Sequence, residues 1–181
     1  IDALPYKGPA LALFAYGDLG LRRFVDLDVI VKKSDVPRAR DLLLQEHYNL
    51  SKPLTPAQQA LLLRTQHNLQ FERDNRRILL ELHWEVAPHL FASSVQENEL
   101  WQNLTTMNLN EHEVNALSAE DLLFSLCVHG SRHLWERLGW ICDVAELVAH
   151  HELNWTALRQ RAAAADGDAG TGQLRGRADR S

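Results

Sequence analysis

Residues 22–31 read Arg22-Arg23-Phe24-Val25-Asp26-Leu27-Asp28-Val29-Ile30-Val31, and the reading of this stretch decides the fold. Successive strand residues point to opposite faces. The run therefore predicts a strand with Val25, Leu27, Val29 and Val31 on one face, and with Asp26 and Asp28, followed by Ile30, on the other. Two carboxylates at that spacing repel. They stay ionised cheaply only in water or around a shared cation. In isolation the ordinary meaning of alternating Asp is the solvated face of an amphipathic sheet.

The chain on either side mixes helix and strand patterns. An apolar run from Pro9 to Tyr16 predicts a helix before the strand, and a second helix is expected from Ser34 to about Glu46. Ser34 is its candidate N-cap, and Val36, Ala39, Leu42 and Leu43 its apolar face. Beyond Pro53 and Pro56 comes a short helix around Gln58 to Arg64. His67 to Glu72 and Arg77 to Val86 then read as a hairpin turning at Asp74-Asn75. Residues 97–116 suggest a helical turn and a short hairpin.

Ser118, with Asp121 three residues on, is expected to cap a helical part running to about Ala165. Its apolar stripes are Leu122, Leu123, Leu126 and Val128, then Leu138, Ile141, Val144, Ala145 and Val148. The last residues are rich in Ala, Gly, Asp and Arg and have only Leu174 as a large apolar side chain. Such a segment cannot bury enough surface to order itself and is expected to be a flexible tail. The expected organisation is an α/β core over 1–116, a helical extension over 117–165 and a tail over 166–181. The fold class is α+β, a mixed sheet with flanking helices followed by a helical bundle.

Composition narrows the function. A chain of 181 residues with 45% hydrophobic residues can bury a real core. A net charge of −5 argues against a general nucleic-acid coat. No apolar run approaches the roughly 18 to 20 residues of a membrane span, and the N-terminus lacks signal-peptide regions. The first residue is Ile1 rather than Met, which is compatible with a missing front segment. Cys127 and Cys142 have no CxxC spacing, so a reduced, cytoplasmic setting is the default.

The segment from Lys7-Gly8 through Asp26 and Asp28 to Tyr48 resembles the opening of the uncharacterised nucleotidyltransferases of the DNA polymerase β superfamily. The resemblance rests on Lys7-Gly8 closing a first strand, a helix, Arg22 four residues before Asp-x-Asp, and the later acid-Leu-His-Trp strand "LELHWEV" with Glu81, His83 and Trp84. It extends to "HGSRHLWERLGWICDVAELV" in the helical part. The family implies a nucleotidyltransferase fold and nucleotidyl transfer from a nucleoside triphosphate (NTP) to an acceptor. By resemblance, Asp26, Asp28 and Glu81 are its metal-ligating and catalytic residues, with Glu81 also assisting deprotonation of the acceptor. Lys7, Gly8 and Arg22 are its phosphate-holding residues. Where the wider superfamily carries Gly-Gly or Gly-Ser, this chain has Lys7-Gly8-Pro9, which removes an N–H donor and offers no hydroxyl.

The residues themselves lead to the same place. Glu81, His83 and Glu85 share one face of the later strand, and if the two strands are neighbours Asp26, Asp28 and Glu81 converge. Oxygen ligands favour Mg²⁺ or Mn²⁺, which leave positions for water and substrate phosphate. Glu85 competes with Glu81 for the third place. His83 either supports the site or is simply a partly buried histidine. Lys7 is otherwise an exposed lysine, and Arg22 is otherwise a salt bridge restraining the aspartates. His129 and His133 stand four apart on a helix, but that spacing without His-Glu-x-x-His is poor grounds for zinc. These histidines are expected to border the cleft, with Trp135 and Trp140 packing the bundle against the α/β part. The acceptor, a small molecule or a protein, is not specified. The competing reading is a non-catalytic nucleotide-binding or regulatory protein that keeps the fold.

Overall fold

Five segments with strand periodicity pair into one mixed sheet in a computed structural model that describes residues 1–85, 97–160 and 162–163. They are β1 (Ala3–Pro5), β2 (Leu27–Val31), β3 (Asn49–Leu50), β4 (Asn68–Arg73) and β5 (Ile78–His83). Their spatial order is β1-β2-β5-β4-β3. Each neighbouring pair is antiparallel except β2 and β5, which run parallel. That pair sets Asp28 opposite Glu81 and Ile30 opposite His83. The β4–β5 hairpin turns where the sequence predicts, through Asp74, Asn75 and Arg76, all at positive φ. Asp and Asn tolerate that region better than most residues.

Helices α1 (Gly8–Tyr16), α2 (Val36–Gln45) and α3 (Pro56–Thr65) lie between these strands. Thr55 caps α3 through a capping box with Gln58. Ser34 does not cap α2; it sits within a 3-10 turn over Lys33–Asp35, and Asp35 takes the cap position without a side-chain bond. Val36 and Ala39 are buried and Leu43 packs beside them, but Leu42 is 47% exposed. At about 100° per residue, positions 36, 39 and 43 fall in one stripe and 42 turns away from it.

The α4 helix (Glu97–Gln102) and the β6 (Leu104–Leu109) and β7 (His112–Leu117) hairpin lead to α5 (Ala119–Arg132) and α6 (Leu138–His150). Ser118 caps α5, as its spacing to Asp121 predicts, with the Asp121 amide donating to Oγ at 3.1 Å. Of the apolar stripe predicted for α6, Val144 packs against the core, while Leu138, Ile141 and Val148 turn outward and are 73, 48 and 38% exposed. The buried side carries Asp143 and Leu147, because the polar bond made by Asp143 orients the helix. Val86 and the expected tail over 166–181 lie outside the described residues.

Two cores flank the sheet. One joins Leu69, Phe71, Leu80, Leu82 and Trp84 to Val36 and Ala39 of α2. The other joins Leu4, Leu11 and Ile30 to Leu122, Leu123 and Leu126 of α5 and Leu147 of α6. The helical part is thus packed on β1, β2 and α1, and the Asp28–Ile30 face of β2 looks toward it.

Gly8 is a close-approach point. Its φ is +58°, and a Cβ there would lie 2.5 Å from the Asp26 carbonyl oxygen. Backbone cannot yield as a flexible side chain does. Gly8→Ala is expected to destabilise the protein by at least about 2 kcal/mol from left-handed strain plus the clash. Urea unfolding checks this, and an unchanged midpoint would show that the two segments are not held together.

Candidate active site

The parallel pairing of β2 and β5 brings Asp28, Glu81 and His83 to one place. His83 Nε2 lies 3.0 Å from Asp28 Oδ1 and 3.2 Å from Glu81 Oε2. Lys7, at the end of the β1–α1 connection, places its ammonium 2.8 Å from the same Asp28 oxygen. Asn68 and Gln70 of β4 donate to Glu81 at 2.9 and 2.8 Å and fix its orientation. The Tyr6 ring meets His83 edge-on at 5.3 Å. These groups open onto a cavity of about 770 Å³ shared by the sheet and the helical part.

The electrostatics divide the three acids. Burial pushes the Asp28 carboxyl up, but the His83 bond and the Lys7 charge outweigh it and hold the group at about 2. The His83 bond, helped by Gln70 against a smaller cost of burial, brings Glu81 to about 2. Burial would lower the Lys7 ammonium, yet the charges of Tyr6 and Asp28 carry it above its ordinary value. Asp26 goes the other way: burial and then the charges of Asp28 and Glu81 raise it.

The strand expected from Arg22 begins only at Leu27, and Val25 is 68% exposed. Asp26 therefore lies one residue before β2, in the segment that crosses Gly8, and not on the strand face. It lines the same cavity. Asp28, Glu81 and His83 offer ligand atoms that all lie within 4.8 Å of one another. Glu85 does not belong to that group; it pairs with Lys33 at 3.2 Å. Two carboxylates joined by the His83 imidazole, with the Lys7 ammonium on Asp28, form an oxygen donor set of the kind that suits a hard divalent cation. His83 Nδ1 is buried without a hydrogen-bond partner.

Arg22 lines the cavity, but its guanidinium does not touch the paired acids. It donates to Asp143 of α6 at 2.7 and 3.0 Å and to the Gly8 carbonyl at 3.2 Å. Tyr16 donates to Asp143 as well, at 2.8 Å. Asn68 and Gln70 carry no signal in the sequence, and Asp143 stands there only as an acid following His129, His133 and Glu136. Counting back from a two-residue turn at Asp74-Asn75 sets Asn68 across from Glu81, whereas the four-residue connection over 74–77 sets Gln70 there; nothing in the sequence pairs Arg22 with a residue 121 positions later.

The far wall is helical, as expected. His129 and His133 border the cleft with ring centroids 4.8 Å apart, and His129 meets Trp140 edge-on at 4.9 Å. They join no cluster of three potential metal ligands among the described residues. Burial, then the charges of Lys7 and His133, bring His129 down to about 4. Trp140 lines the cavity, while Trp135 packs over Gly130.

The chain matches, over residues 1–173, the family described as uncharacterised nucleotidyltransferase. It belongs to that family. It is an enzyme of the nucleotidyltransferase class. No curated protein matches the chain. Among solved structures it is similar to the antibiotic-resistance factor ANT(2'')-Ia, at 11% identity and a TM-score of 0.61, covering 96% of this chain and 86% of that one. It is also similar to the lincosamide antibiotic adenylyltransferase LnuA in its lincomycin-bound form, at 12% identity and a TM-score of 0.53, covering 80% and 84%. At such identities the likeness establishes a shared fold. No helix among the described residues is long and apolar enough to cross a membrane.

Two outcomes follow from the charge pattern. A carboxyl raised by its surroundings costs stability when ionised, so Asp26→Asn is expected to raise the metal-free unfolding midpoint at pH 7 by about 2 °C. Asp28 and Glu81 have the opposite sign: their contribution is present above pH 4.5 and is lost as the pH falls toward 2. Thermal scans across that window, with and without the substitution, check both signs. Arg22→Ala leaves Asp143 buried with Tyr16 as its remaining partner, and is expected to cost about 3 kcal/mol in urea unfolding. The Arg22→Ala, Asp143→Ala double variant should recover part of that loss; a cost below about 0.5 kcal/mol would show the tie to be superficial.

Proposed function

We propose that the protein transfers a nucleotidyl group from an NTP to an acceptor hydroxyl or phosphate in a reaction that depends on Mg²⁺ or Mn²⁺. The observation that carries this reading is the juxtaposition of Asp28 and Glu81 across the parallel β2–β5 pair, with Asp26 on the same cavity. Asp28 and Glu81 would hold the cation, joined by Asp26. When bound, the cation supplies charge neutralisation for the triphosphate and polarisation of the phosphoryl group under attack.

The remaining work falls to the chain. Asn68 and Gln70 keep the Glu81 carboxylate in place, and His83 ties it to Asp28. Glu81 and Asp28 are held far down the acid scale, which makes them good ligands and poor bases. The proton of the attacking hydroxyl would pass to Asp26, the cavity carboxylate that neither His83 nor Lys7 bonds. The acceptor oxygen bonds to the α-phosphorus, the α–β bridge breaks, and pyrophosphate departs. Lys7 and Gly8 frame the phosphate end, and Arg22 holds that end to α6. The two free cysteines suit a reducing, cytoplasmic setting.

One observation favours the non-catalytic alternative. The connection that cradles phosphate in related folds has no hydroxyl here, and the Gly8 carbonyl is taken by Arg22. Calorimetric NTP titration and a pyrophosphate-release assay over a panel of NTPs and acceptors separate the two. Asp28→Asn is expected to keep the fold and to lower Mg²⁺-dependent pyrophosphate release at least about a hundredfold. Undiminished release in the folded variant would sink the assignment. Nucleotide binding without release for any acceptor would favour the regulatory reading.

A further inference from the structure

Lys7 and Arg22 are the cations nearest the phosphate end, and both are engaged. Lys7 is bonded to buried Asp28 at 2.8 Å, and Arg22 to buried Asp143 at 2.7 Å. Drawing either away leaves an uncompensated buried carboxylate, which is costly. The same cavity carries three more cations: Arg23 in the segment before β2, Arg132 at the end of α5, and Arg137 at the start of α6. None of the three pairs with a carboxylate among the described residues. Arg137 lies over the Trp140 ring at 5.5 Å. Stacking holds a guanidinium plane while leaving its edge N–H groups to donate.

Burial and then Arg132 lower His67, and burial, then Lys7 and His133, lower His129. Glu136 is the acid that this helical wall adds to the cavity. An unbalanced set of arginines facing a carboxylate cluster across a cavity is suited to a polyanion that reaches from one to the other.

We propose that Arg132 and Arg137 on the helical side of the cleft, with Arg23 from the segment before β2, bind the β- and γ-phosphates of the NTP. The inference rests on the transferase reading and goes beyond it, because it moves the phosphate contacts from Arg22 to its neighbour Arg23 and to two arginines of the helical wall. Arg22 is then a positioning residue that acts through Gly8 and Asp143. The three arginines are exposed, so engaging them breaks no buried pair.

Calorimetric titration of the full chain with ATP, AMP and inorganic triphosphate, each with Mg²⁺, tests this on Arg23→Gln, Arg132→Gln and Arg137→Gln. Each substitution is expected to weaken ATP and inorganic triphosphate about tenfold, to leave AMP within about twofold, and to leave the melting midpoint unchanged. Variants that bind ATP as the wild type does would overturn the proposal. So would an equal loss for AMP and ATP, which would assign the arginines to the base or the acceptor. A wild type that binds inorganic triphosphate but not ATP would keep the arginine site and sink the transferase reading. Binding of neither would sink both.

Discussion

The parallel contact between β2 and β5 is the constraint on which the rest depends. It is the single parallel pairing in a sheet of otherwise antiparallel neighbours, and its register sets Asp28 against Glu81. Two acids forced together need compensation. Lys7 and His83 supply it within 3.2 Å, Lys7 from the connection after β1 and His83 from the end of β5 itself. The Lys7 charge and the His83 hydrogen bonds hold the two carboxyls low against the cost of burial.

Around that contact the chain is tied by polar groups where a smaller protein would rely on apolar packing. Arg22 joins the Gly8 turn to α6 through Asp143, and Tyr16 of α1 meets the same carboxylate. This tie sets the rotation of α6. It turns Asp143 and Leu147 inward and leaves Leu138, Ile141 and Val148 in water. A buried ionic pair is a weak source of net stability, since desolvation opposes it, but it is specific about geometry. Here the specificity is spent on the wall that closes the cleft.

The close pass of the Asp26 carbonyl over Gly8 explains why the strand starts late. A segment crossing a glycine turn cannot also pair as the edge of a sheet, so Arg22 to Asp26 leave the strand pattern that their sequence suggests. Asp26 keeps its place on the cavity while losing the β-face neighbour relation to Asp28. The result is three carboxylates with two characters, two held low and one raised.

Local pattern alone determined the strand around Asp28, the hairpin at Asp74-Asn75, the Ser118 cap and the convergence of Asp28 with Glu81 once the strands are neighbours. These depend on side-chain alternation, turn chemistry and capping, which act over a few residues. Resemblance to a family, carried by Lys7-Gly8, Asp-x-Asp and Leu-His-Trp, supplied the adjacency of those strands. Tertiary structure alone decided the partner of Arg22, the outward face of α6 and the separate setting of Asp26. Each depends on groups brought together from distant positions, where one buried charge pair outweighs the apolar periodicity of a helix. No short-range pattern in the chain records that balance.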